Sequence, residues 1–206
     1  MKQIIAHRDI VENEWLEQSL DDHLINAAMR AYSLGSSIGI ACICLLAALF
    51  HDTGKSTRIF QNYIRGKYKG RVTHSTQGAV WVFHHIQAMK SSNLDPNILH
   101  ALRDSIIYPI MAHHGLMDIV VINDDTYYSA VRRRLQYSID NPEEQDEVNK
   151  YIEHLIALIE VKLGLSIEQI FSQAYDETKA IIAKIEQLTS DDPETGEKER
   201  AFYHGA

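Results

Sequence analysis

Residues 38–55 read Ile38-Gly39-Ile40-Ala41-Cys42-Ile43-Cys44-Leu45-Leu46-Ala47-Ala48-Leu49-Phe50-His51-Asp52-Thr53-Gly54-Lys55. A helix over about Ile38 to Asp52 is apolar nearly all round, which predicts the central buried helix of an all-helical domain. Gly54 stops it and permits a tight exit. His51 and Asp52 then fall at the edge of the core, pointing into different sectors of the helix. A histidine at a helix C-terminus is favourably placed, but an aspartate there opposes the helix dipole unless a cation offsets it. The plain alternative is a solvated carboxylate beside a dipole-stabilising imidazole. The carboxylate's position instead favours a cation site, with Lys55 placed to meet a phosphate oxygen.

Outward from this run, the chain reads as helices throughout. Ser19 and Asp22 mark a helix start, followed by Leu20, Leu24, Ala27, Ala28 and Ala31 at helical spacing and an end before Gly35. Further helices are predicted over about 57–64, 75–89, 96–113, 125–136, 142–163 and 166–188, and no strand-like alternation of useful length appears. Residues 1–188 form one domain, and the polar stretch 189–206 reads as a tail or linker leading to the start of a further helix at Ala201 to His204. The 206 residues are 45% hydrophobic with only 4 Pro, enough for one sizeable core. Cys42 and Cys44 are too closely spaced for a disulfide framework and read as core thiols of a reducing compartment. The apolar run is shorter than the roughly 20 residues of a membrane-spanning helix, so a cytoplasmic protein with no membrane partner is expected. A net charge of -8 excludes a general electrostatic grip on nucleic acid, so any such contact is local.

Eleven histidines are the unusual feature of the composition. His23, His74 and the pair His113-His114 lie, like His51, at helix ends or in apolar surroundings where an unpartnered imidazole is costly. Each alone reads as a capping or core histidine. Together with Asp52 they match the mixed nitrogen and oxygen ligation that transition metals favour.

The order His23, His51-Asp52, His74, His113-His114, with the phrases Ala6-His7-Arg8, Gln18-Ser19-Leu20, His74-Ser75-Thr76-Gln77-Gly78-Ala79 and His113-His114-Gly115, resembles the HD nuclease domain of the CRISPR-associated type I interference helicase-nuclease. The likeness spans about Ala6 to Gly115. It implies a compact HD-domain helical bundle with a two-metal site at the ends of its central helices, in which His23, His51 and Asp52 hold one cation and Asp52, His74, His113 and His114 the other. Mn, Ni, Co, Fe or Mg could serve. Asp52 and Lys55 take the catalytic positions, Lys55 near the scissile phosphate. The family also uses a late aspartate that this chain does not match. Asp176 is the only substitute, and it reads better as a surface carboxylate.

The activity implied is metal-dependent cleavage of single-stranded DNA in antiviral defence, with a CRISPR helicase domain or subunit and an RNA-guided effector complex as partners. Arg58, Lys67, Lys69 and Arg71 are the substrate-binding candidates, joined by Arg65 and the stacking candidates Tyr63 and Tyr68. Arg132-Arg133-Arg134 reads as a solvated helix face. Two other functions fit the same residues: an HD phosphohydrolase acting on a nucleotide or small phosphate ester, and a catalytically weakened HD docking module. Asp52, as an edge-of-core residue, is expected to tolerate truncation.

Overall fold

The chain opens on a hairpin that its alternation did not announce: β1 (Ile5–Val11) pairs antiparallel with β2 (Glu14–Ser19). The turn residues Glu12 and Asn13 both take positive φ, 52° and 68°, the geometry that matches the twist of a two-residue hairpin. Its strands escape the period-2 reading because the hairpin is largely solvated: Ile5 and Ala6 are buried, while Ile10, Val11, Trp15 and Leu16 are exposed. The computed structural model describes residues 3–89, 93–114, 120–123, 126–129, 136 and 140–190.

Ser19 ends β2 and caps α1 (Leu20–Ser36), its hydroxyl accepting the Asp22 backbone N–H at 3.0 Å. The helix runs past Gly35, and the positive φ that turns the chain belongs instead to Gly39. The central run folds as α2 (Ala41–Phe50). It lacks a local side-chain cap, and the Glu177 carboxylate accepts the Cys42 and Ile43 backbone N–H groups at 2.9 and 3.0 Å. A 3-10 turn (Thr53–Ser56) leads to α3 (Arg58–Ile64), capped by Thr57. Helices α4 (Gln77–Met89) and α5 (Pro96–Ala112) follow, close to the predicted spans. The last two, α6 (Pro142–Leu163) and α7 (Ile167–Ser190), complete a mostly helical bundle.

A second antiparallel pair, β3 (Val120–Asn123) and β4 (Thr126–Ser129), corrects the helix predicted from residue 125. Its β-branched and aromatic residues, Val120-Val121-Ile122 and Tyr127-Tyr128, suit a pleated surface better than a helix. Arg132 to Arg134, Gly115 and residues 191–206, including the helix start expected at Ala201, lie outside the described residues.

The core is built around α2, whose Leu45, Leu46, Leu49 and Phe50 are fully buried among residues of α1, α4, α5, α6 and α7. At roughly 2 kcal/mol for each large apolar side chain removed from water, these four alone favour the folded state by several kcal/mol. No helix among the described residues is long and apolar enough to cross a membrane.

Candidate metal centre

Two glycines make the approach of α4 to the end of α2 possible. A Cβ on Gly54 would collide with the backbone carbonyl of His74, and one on Gly78 with that of Phe50. Gly54 is therefore required for close packing, whereas the sequence suggested a helix stop; its φ is not among the positive values. The packing sets His74, just before α4, against Asp52, just after α2. His23 arrives from the first turns of α1, and His113 and His114 from the end of α5.

All six residues predicted as ligands converge here, on the two oxygens of Asp52. Oδ2 lies 3.0 Å from His23 Nε2, 3.3 Å from His51 Nε2 and 2.8 Å from Lys55 Nζ. Oδ1 lies 3.2 Å from His113 Nε2 and 3.5 Å from His74 Nε2. His114 joins the second group, its Nε2 2.6 Å from that of His74. Asp52 is only 3% exposed and Lys55 4%, which corrects the edge-of-core expectation for the aspartate. The turn after α2 folds back beneath the helices instead of leading out to solvent.

Electrostatics keep the centre anionic at Asp52 and the outer imidazoles neutral. Burial pushes the Asp52 carboxyl up, but hydrogen bonds that His113, His23 and His51 donate when their Nε2 atoms carry protons, with the charge of His51, outweigh it and hold the group well below the usual carboxylate range. Burial lowers His74 to about 4 against the pull of Asp52, with Lys55 and the neighbouring imidazoles adding to the effect. His114 is lowered by burial and then by His113, and His7 by burial and then by Lys55. A neutral imidazole is the form that binds metal.

The local hydrogen bonds supply a test of whether a cation fits. His51 Nδ1 donates to the Ala48 carbonyl at 2.7 Å and His113 Nδ1 to the Ile110 carbonyl at 2.6 Å. Since a carbonyl only accepts, Nδ1 carries a proton in both rings, which leaves Nε2 as the nitrogen that faces Asp52 and can serve a metal. Asp52 Oδ1 and His113 Nε2 are buried, 3.2 Å apart, and without a hydrogen bond among the described residues. Two lone-pair donors facing each other in a dry site repel unless a proton or a cation lies between them, and with six such donors gathered on one carboxylate the residues fit a divalent metal. Donor atoms gather in two sets sharing Asp52, one with His74, His113 and His114 and one with His7 and His23.

His7 is the residue the sequence reading passed over. It stood within a quoted phrase, but only its place on β1 brings it within 4.8 Å of the His23 ring, centroid to centroid. Among the remaining predicted residues, Asp176 is exposed on α7 and belongs to neither donor set. Arg58, Lys67, Lys69 and Arg71 are exposed, the last three on the loop that leads into His74. Arg65 is instead tied down, its guanidinium donating to Gln61 and to the Gln3 carbonyl.

A family model described as HD domain matches residues 20–146, most of the chain. The protein therefore belongs to the HD-domain family, a class of metal-dependent phosphohydrolases, and its histidine and aspartate cluster is of the kind that could hold their metal. No curated protein matches the sequence.

Proposed function

We propose that this HD domain is a two-metal phosphodiesterase that cleaves single-stranded DNA in CRISPR interference, acting with a helicase domain or subunit and an RNA-guided effector complex. The observation that carries the two-metal part is the division of Asp52. One oxygen faces His23 and His51, the other His74 and His113, as a carboxylate shared by two cations requires. His23, His51, Asp52, His74, His113 and His114 would hold the divalent ions, which when bound would supply a water of lowered pKa and offset the charge of a phosphodiester.

The protein's own groups do the rest. Asp52 fixes charge and position, and its neighbours His51 and His113 are oriented by the Ala48 and Ile110 carbonyls. Lys55 donates one of its three protons to Asp52 and keeps the others for negative charge that develops on phosphorus oxygens. The exposed cations Lys67, Lys69 and Arg71 lead to His74, with Tyr63 and Tyr68 also exposed nearby in sequence, a local track for a strand backbone in an otherwise acidic chain.

The test is incubation of circular single-stranded DNA with the protein and manganese, nickel, cobalt or magnesium, beside p-nitrophenyl phosphate and a mononucleotide. Linearisation of the circle, absent in Asp52→Ala, is the expected result. Turnover of the small esters with an intact circle would make the protein a phosphohydrolase of small substrates, and metal binding without hydrolysis would leave a docking module.

A further inference from the structure

The two sides of Asp52 differ in how many imidazoles attend them, Lys55 taking a place on the side with fewer. Three imidazoles, His74, His113 and His114, gather on one side, whereas the other has His23 and His51 from the helices. The third position on that side is taken by His7. A His7 ring nitrogen, a His23 ring nitrogen and an Asp52 oxygen all lie within 4.8 Å of one another. Ligands bound at about 2.0–2.2 Å lie up to roughly 4 Å apart across a shared ion, so a small rotation of the exposed His7 ring completes the set.

The hairpin is built to hold His7 there. The β1–β2 register shifts between Ile5 and His7, a bulge of the sort that re-aims a side chain beside a site. Ile5 and Ala6 on the near side of the shift are buried. Gln61 clamps the Ile5 backbone from both sides, accepting its N–H at 3.1 Å and donating to its carbonyl at 2.8 Å. The Leu20 N–H donates to the Ile4 carbonyl at 3.0 Å, tying the strand to the helix that carries His23.

We propose that His7 is a metal ligand, giving the cation on the His23 side three imidazoles and the shared carboxylate, so that the N-terminal hairpin is part of the metal centre. This rests on the metal-dependent reading of the same site. The test is titration of chelator-stripped protein with cobalt(II), following stoichiometry by calorimetry and coordination by the visible absorption spectrum, for the parent, His7→Ala, His7→Gln and His113→Ala.

Two ions are expected in the parent. His7→Ala should weaken one of them on the order of 10-fold to 100-fold and alter its spectrum while the other binds as before. His7→Gln should behave like His7→Ala, and His113→Ala should weaken the other ion. Unchanged affinity and spectrum in His7→Ala, alongside weakened binding in His113→Ala, would overturn the ligand role and leave the metal-dependent reading standing. Equal weakening of both ions in His7→Ala would overturn it as well, by showing a general effect on the fold. A parent that binds no cobalt would sink both.

Discussion

At Asp52 the chemistry and the stability of the protein meet in one side chain. Its carboxylate is the ion-pair partner of Lys55, and both are almost fully buried. Asp52→Ala therefore does more than remove a ligand, because it strands an ammonium in the core. Breaking a buried pair from one side costs about 3–5 kcal/mol, so urea denaturation of the metal-free variant should show a loss of that order. A variant as stable as the parent would contradict the burial described here. His74 makes a second prediction. Its native pKa, lowered to about 4, lies below the ordinary 6.5, so the unfolded chain takes up its proton first as pH falls. The metal-free protein should lose stability steadily from about pH 6.5 towards 4, and His74→Ala should flatten that slope. Asp52, held below the carboxylate range in the native state, adds to the slope only at the acid end, below about pH 5, where the unfolded carboxyl begins to take up its proton while the native one does not. Thermal melts at stepped pH measure both.

Helix packing depends on two absent side chains and one distant cap. Gly78→Ala drives a methyl into the Phe50 carbonyl and the Thr53 hydroxyl, neither of which can move without shifting the turn that carries Asp52. Overpacking of this kind costs about 1–3 kcal/mol, and here the displacement also separates His74 from Asp52. Weakened metal binding should accompany the lower melting temperature, and calorimetry of the variant with unchanged metal affinity would refute the link. Glu177, on α7, performs the capping that Ile40 cannot, receiving the Cys42 and Ile43 N–H groups. Glu177→Ala should cost about 1–2 kcal/mol, within the range measured for lost helix caps, and chemical denaturation reads it directly.

For the whole molecule, the candidate metal centre gathers one side chain from β1, one from α1, two from the end of α2, one from the approach to α4 and two from the end of α5. Such a site exists only in the folded chain, so a bound cation stabilises it by mass action. At a free concentration 100 times the dissociation constant the gain is about 2.7 kcal/mol. With about 2–4 °C of melting temperature per kcal/mol at this size, manganese or cobalt should raise the transition by roughly 5–11 °C. A chelator should reverse it. No shift at saturating metal would count against the centre.

Most helix positions, the buried α2 and the candidate set His23, His51, Asp52, His74, His113 and His114 were legible in the sequence, whereas the span from residue 125 was not. Apolar periodicity, capping residues and the cost of an isolated buried imidazole are local properties that a linear chain displays. The hairpin was not legible, because its strands are mostly solvated and carry no alternating pattern, and its turn at Glu12-Asn13 lacks glycine. For the same reason His7 gave no signal: its meaning comes from β1 lying across the start of α1, held there by Gln61 some 56 residues away. The division of Asp52 between two sets of imidazoles, the burial of Lys55 and the close-packing role of Gly54 and Gly78 likewise depend on contacts between helices distant in sequence. Spacing along a chain specifies which face of an element a residue occupies, but which faces meet is decided when the core closes.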